Sequence, residues 1–215
     1  NEGSNVYIID IKKPKKLLSA SYFKSDITKE KDLIKILSYF KKNKIKIDAL
    51  INNAAIDYNP KKYKNKKLLL ENFSNELWDK DIAVSLKGSY LCTKIFGTYM
   101  AKFNQGVILN VSSDLGIIAP DQKLYEDTKF VKPVTYSVVK HGIIGLTKYT
   151  ASYWPKKVRC NTLAFGGMEN NQNQDFIKKV KKLIPMGRMG KKNEYNNAIL
   201  FLASKASSYI NGTTI

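Results

Sequence analysis

The chain has 215 residues, 43% hydrophobic and 26% charged, which suits one globular domain able to bury a core without disulfides or metal. No apolar run approaches the ~18 residues that cross a bilayer, and no signal-peptide pattern opens the chain. The net charge is +19, yet 35 of the 37 basic residues are lysine; recognition of phosphates and base edges leans on the planar arginine fork, so specific nucleic-acid binding is disfavoured and only salt-sensitive adhesion to polyanions is expected.

Hydrophobic periodicity alternates strand-like and helix-like units, the pattern of a parallel sheet covered by helices. Val6–Ile9 reads as a fully buried strand. A helix follows over Thr28–Lys42, capped by Asp26 or Thr28, with Leu33, Ile34, Ile36, Leu37 and Phe40 toward the sheet. Ile47–Ile51 is the next strand, then a polar loop from Asp57 to Lys67. A long helix is predicted from Ser74 toward Lys102, through Leu77, Trp78, Ile82, Leu86, Tyr90 and Ile95. Val107–Val111 is a strand, Thr135–Trp154 a helix, Val158–Leu163 a strand, and shorter helices fit Asp175–Ile184 and Asn193–Ser204. Cys92 and Cys160 fall in a helix and a strand, without a CxxC or a Cys/His ligand cluster; two inert thiols in a reducing cytoplasm are expected, and no metal.

The chain begins with Asn and enters a strand within five residues, and it stops at Gly212–Ile215 as though another strand were starting. The expectation is a single α/β domain over 1–215, a Rossmann-like doubly wound parallel sheet whose N-terminal βα unit and last strand are missing. In the order 3-2-1-4-5-6 the missing strand would lie between the strand ending at Asp10 and the rest of the sheet.

A tyrosine four residues before a lysine on a helix places both side chains on one face, where the ammonium stabilises the phenolate. That makes a proton donor and acceptor for carbonyl/alcohol chemistry. With 13 tyrosines and 35 lysines in 215 residues, chance supplies about two such pairs; six occur, at Tyr58/Lys62, Tyr63/Lys67, Tyr90/Lys94, Tyr125/Lys129, Tyr136/Lys140 and Tyr153/Lys157. Pro60 and Pro155 argue against the first and last, the second lies in a polar loop, and Tyr90 suits a surface or interface. Between Tyr125 and Tyr136 the following residues decide. Tyr125 precedes an aperiodic stretch ended by Pro133, whereas Tyr136 opens an apolar-faced helix whose Gly142 and Gly145 permit close packing.

Three anchors give the chain a close resemblance to the short-chain dehydrogenase/reductase family: Asn52-Asn53-Ala54-Ala55 after one strand, Asn110-Val111-Ser112-Ser113 with Gly116 after another, and Tyr136-Ser137-Val138-Val139-Lys140. Within that family, the segments Gly116–Gln122 and Lys132–Tyr136, with the long gap between Ser113 and Tyr136, look like the flagellin-modification oxidoreductases of surface-sugar biosynthesis. The resemblance implies Tyr136 as acid/base, Lys140 as its partner and a ribose ligand, and Ser113 as the hydroxyl that polarises the substrate oxygen. It also implies a cofactor site at Asp10, Asp26, Asn53, Ala54, Gly166 and Met168, besides Tyr136 and Lys140.

Asp10 ends its strand where an acidic residue meets the adenosine ribose, and its charge repels a 2′-phosphate, so NAD is expected ahead of NADP; a capping or solvated Asp10 is the competing reading. Asp26 fits an adenine contact or a helix cap equally. His141 points about 100° around the helix from Lys140 and is expected at the surface. The pattern departs from the family at three places: no glycine-rich turn precedes Asn5, Ser85 stands at the family's active-site Asn, and Phe165 replaces Pro before Gly166. The leading expectation is an oxidoreductase acting on a hydroxyl or carbonyl of a small, sugar-like metabolite, assembled as a homodimer or homotetramer. The alternative is a catalytically weakened nucleotide-binding or assembly protein on the same fold.

Overall fold

A computed structural model describes residues 3–15, 17, 19–58, 66–126 and 130–215. Among the described residues, five strands form two parallel sheets. β1 (Tyr7–Asp10) pairs with β2 (Ser21–Lys24), and β3 (Ala49–Asn52), β4 (Val107–Ser113) and β5 (Arg159–Phe165) follow in the order β3-β4-β5. Parallel pairing requires crossovers. Helix α1 (Glu30–Lys42) supplies one after β2; a helical rod fills the crossover from β3 to β4, and α5 (Val134–Tyr153) the one from β4 to β5. The rod runs through α2 (Asn75–Asp81), a π-helical turn (Ile82–Lys87), α3 (Gly88–Cys92), a second π turn (Thr93–Gly97) and α4 (Thr98–Ala101). Helices α6 (Gln174–Leu183) and α7 (Asn196–Ala203) complete the chain.

Apolar residues of α1 and the rod form one cluster, Leu33, Ile36, Phe40, Leu91, Cys92, Ile95 and Phe96, against which Tyr7 and Phe23 from one sheet and Leu50 from the other are packed. A polar ladder fixes the register of the second sheet. Asn52 Nδ2 donates to Asn110 Oδ1 at 2.8 Å, Asn110 Nδ2 donates to Thr147 Oγ1 at 2.8 Å, and Thr162 Oγ1 donates to Thr147 Oγ1 at 2.7 Å. All of these side chains are buried, so each unpaired group would carry its full desolvation cost.

Several sequence expectations are corrected here. β1 is half-buried, not fully buried, because it pairs on one edge only; β3 likewise exposes Ile51, 45% accessible. β2 was not foreseen. Ile34 of α1 is exposed, since the buried stripe at Leu33, Ile36 and Phe40 is narrow and Ile34 lies about 100° from Leu33. Residues 213–215 run parallel to β5 at an isolated bridge between Thr162 and Thr214, where Ile215 N–H donates to Thr162 O at 3.0 Å and Ala164 N–H to Ile215 O at 2.7 Å. Of the two α5 glycines, Gly142 packs against Leu86, but Gly145 faces open space. Burial pushes the free thiols of Cys92 and Cys160 up to about 12. The middle of the expected Asp57–Lys67 loop and Lys129 lie outside the described residues.

Candidate active site

Parallel strands deliver their C-terminal ends to one side of a sheet, and the loops there carry the candidate residues. Ser113 is the last residue of β4. The turn Asp114–Gly116 that follows lies against α5 so closely that a β-carbon on Gly116 would sit 2.5 Å from Ser112 Oγ and 2.8 Å from the Lys140 carbonyl oxygen. Ser112 Oγ ties the same junction by donating to Lys140 O at 2.8 Å. This close approach sets the Ser113 hydroxyl near enough to Tyr136 to favour its ionised phenol. Ser113 Oγ also donates to Asp114 Oδ1 at 2.6 Å and accepts from Leu115 N–H at 3.2 Å.

Tyr136 and Lys140 share one face of α5, as their spacing requires; Lys140 Nζ lies 5.6 Å from the Tyr136 ring centroid and donates to Val111 O at 3.1 Å. Burial pushes the Tyr136 phenol above its ordinary value, the nearby Ser113 hydroxyl opposes this, and Asp57 and Asp114 push further upward. Lys140 is pulled down by burial, with Asp57 opposing and Lys132 adding to the fall. Two groups not foreseen complete the cluster. Lys132 Nζ stands 3.7 Å from the Tyr136 ring centroid and 2.8 Å from Asp57 Oδ1.

Ser85 sits in the first π turn, the kind of helical irregularity that recurs at functional sites. Its Oγ accepts from Ile56 N–H at 2.9 Å. Beside it is a cavity of about 10 Å³, at the lower limit for one water, lined by Ser85, Tyr136, Lys140, Tyr58 and Asp81. Asp81, 3% exposed, accepts from Tyr58 Oη at 2.9 Å and from Thr135 Oγ1. Desolvation raises its pKa, against the two hydroxyl donors and Lys80. The competing tyrosine, Tyr125, is instead packed into an aromatic cluster with Tyr58, Phe130 and Phe176. Burial also pushes its phenol upward.

The expected cofactor residues occupy the C-terminal ends of the strands, where a dinucleotide would lie. Asp10 ends β1 exposed, with Oδ1 accepting from Lys12 N–H at 2.8 Å. Asp26, just beyond β2, accepts from Thr28 N–H and Thr28 Oγ1 at 3.0 and 2.8 Å, which lowers its pKa. It does not cap α1, whose N-cap is Lys29. The adjacent Ser25 hydroxyl is buried without a hydrogen-bond partner, beside the Asp10 backbone; a base or ribose could satisfy it. Asn53 and Ala54 follow β3. Gly166 follows β5, and a β-carbon there would come within 4.0 Å of Asp114 Oδ2. Met168 is held by a bridge to Gly190 and a 2.8 Å bond from Gln172 Nε2 to its carbonyl oxygen. These residues fit the adenosine and nicotinamide ends of a dinucleotide; among the described residues no glycine-rich turn offers backbone N–H groups to a pyrophosphate. His141 is exposed, as expected, with Nδ1 3.0 Å from Ser137 O. No cluster able to hold a metal ion occurs among the described residues, and none of their helices is long and apolar enough to cross a membrane.

The chain is similar to known proteins in both sequence and fold. The family model described as Enoyl-(Acyl carrier protein) reductase matches residues 1–215. A 3-oxoacyl-[acyl-carrier-protein] reductase of Thermotoga maritima is 36% identical over 176 residues, covering 79% of this chain and 64% of that protein, so the chain spans a little under two thirds of that relative's length. An NAD-dependent glycerol dehydrogenase of Listeria innocua is 30% identical over 234 residues, covering 100% of this chain and 82% of its own. The solved structure of a short chain dehydrogenase from Leptospira borgpetersenii with bound NAD+ superposes with a TM-score of 0.87 at 28% identity, over 99% of this chain and 80% of that one.

Proposed function

The chain belongs to the short-chain dehydrogenase/reductase family, and from that premise we propose an NAD-dependent oxidoreductase acting on a hydroxyl or carbonyl of a small, sugar-derived metabolite. One observation carries the reading: the Ser113 hydroxyl lies close enough to Tyr136 to favour its ionised phenol, while Lys132 and Lys140 stand 3.7 and 5.6 Å from the centre of its ring. A bound nicotinamide would supply the hydride acceptor or donor. In the oxidative direction the substrate hydroxyl gives its proton to the Tyr136 phenolate as the carbon loses hydride, and in reduction Tyr136 returns it. Ser113 would hold the reacting oxygen, and Lys140 would favour the ionised phenol and bind the cofactor ribose. Asp10 would hold the adenosine ribose, its charge favouring NAD over a cofactor with a 2′-phosphate.

The long segment between Ser113 and Tyr136, with Gly116–Gln122 and Lys132–Tyr136 in it, resembles that of surface-sugar oxidoreductases and supports a sugar-like substrate. Exposed Trp78 and Tyr90 on the rod, and Val138, Tyr149 and Tyr153 on α5, support assembly as a dimer or tetramer through these helices. We place the enzyme in the cytoplasm. The alternative, a weakened nucleotide-binding protein, draws on Ser85, whose hydroxyl is already committed to Ile56 N–H. Supplying NAD and a panel of sugar alcohols while following nicotinamide absorbance separates the two: substrate-dependent reduction supports the enzyme, and cofactor binding without turnover supports the alternative.

A further inference from the structure

We propose that Lys132 is a second cation for the Tyr136 phenolate, a positioning residue that shares with Lys140 the task of ionising the phenol; this rests on the reading of Tyr136 as acid/base. Its ammonium is 3.7 Å from the ring centroid, closer than the 5.6 Å of Lys140. A cation over an aromatic face is attracted by the ring's electron density, and loss of the phenolic proton adds a full negative charge, so the contact favours the ionised form. The side chain is held for this role. Gln122 clamps the Lys132 backbone on both sides, its Nε2 donating to Lys132 O at 2.9 Å and its Oε1 accepting from Lys132 N–H at 3.0 Å. The segment Gly116–Gln122 thus positions a charge at the reacting group.

The charged and titratable groups facing Tyr136 are Asp57 from the loop after β3, Asp114 from the turn after β4, Lys140 from α5, Lys132 from the segment leading into α5 and the phenol of Tyr125, which stays protonated because burial pushes it upward. Two carboxylates oppose ionisation and two ammonium groups support it. The ion pair of Lys132 with Asp57 does not cancel this support. The lysine side chain is 11% exposed and the aspartate 64%, so water screens the carboxylate more than the buried ammonium. Lys140 alone is a weaker partner, because its ammonium is engaged with Val111 O and burial lowers its pKa.

A purely structural ion pair would make removal of either partner equivalent, whereas an electrostatic role gives them opposite signs. The Tyr136 ionisation is read as the near-ultraviolet phenolate difference between each variant and the same variant carrying Tyr136→Phe, with far-ultraviolet circular dichroism confirming the fold at each pH. Relative to the unchanged chain, Lys132→Met is expected to raise the midpoint by about one pH unit or more, Lys132→Arg to leave it nearly in place, and Asp57→Asn to lower it. An unmoved midpoint in Lys132→Met, or shifts of the same sign in Lys132→Met and Asp57→Asn, would overturn the proposal. So would a Lys132→Met defect confined to KM for acidic substrates with the titration unmoved, which would make the lysine a substrate clamp. Full turnover in Tyr136→Phe would instead sink the acid/base reading, and the titration would still report the coupling.

Discussion

Adding one methyl group at Gly116 tests how the two halves of the site are held together. The new β-carbon would lie 2.5 Å from Ser112 Oγ and 2.8 and 2.9 Å from the oxygen and carbon of the Lys140 carbonyl. Two of these contacts are backbone atoms in the middle of α5, so no side chain can swing away. The turn must withdraw by more than half an ångström to reach ordinary contact. Overpacking of this kind costs ~1–3 kcal/mol, and losing the buried bond from Ser112 Oγ to Lys140 O adds ~1–3 kcal/mol. Gly116→Ala should therefore destabilise the fold by about 2–6 kcal/mol, read as a lower urea midpoint. Because the turn carries Ser113 away from Tyr136, turnover should fall by roughly 10²-fold at temperatures where the variant stays folded. Gly145→Ala is the control. Nothing lies within 4 Å of a β-carbon there, and in mid-helix alanine should stabilise by ~0.5–1 kcal/mol. Equal midpoints for Gly116→Ala and the unchanged chain would refute the close-packing argument, as would equal losses at both positions.

Asp10→Ser should weaken NAD and improve NADP, since the charge repulsion is lifted and Lys12 or Lys13 can meet a 2′-phosphate; tighter NADP than NAD in the unchanged chain, by titration of both cofactors, would contradict it. Asp81 has a folded pKa raised chiefly by desolvation, so the folded state binds more protons than the unfolded one from about pH 4 up to the raised value. Its contribution is fully favourable below that window and is lost as pH rises through it. Asp81→Asn removes the titration, and its stability relative to the unchanged chain should rise with pH across the window; a pH-independent difference in urea midpoints would show that Asp81 is not shifted.

Much of this molecule is legible in its sequence where one segment decides the outcome. The 3.6-residue periodicity after Tyr136 was enough to locate α5, on which Tyr136 lies near Ser113, whereas Tyr125 is packed in an aromatic cluster. Ser74 was legible as the start of the rod, and its side chain does cap it, accepting from Leu77 N–H. The π turns were not, because their extra residue is absorbed by packing against α5 and β3, which composition does not encode. β2 escaped notice because four residues, Ser21–Lys24, carry too little alternation to stand out. Within the candidate site, the spacing singled out Tyr136 and Lys140 but not Lys132, Asp57, Gln122 or Asp81. Those come from the segment before α5, the residues after β3 and the end of α2, and Lys132 is one of 35 lysines with nothing local to mark it.

The central claim is that the proton passes through Tyr136, and comparing Tyr136→Phe with Tyr125→Phe tests it most directly. Both changes remove one hydroxyl and keep the ring, so a difference in rate reports the phenol and not the packing. Turnover and NAD affinity are measured for each, with NAD affinity taken from a direct binding titration. The expected result is loss of most turnover in Tyr136→Phe with NAD binding retained, and near-normal turnover in Tyr125→Phe. Full turnover in Tyr136→Phe alongside an inactive Tyr125→Phe would contradict the account.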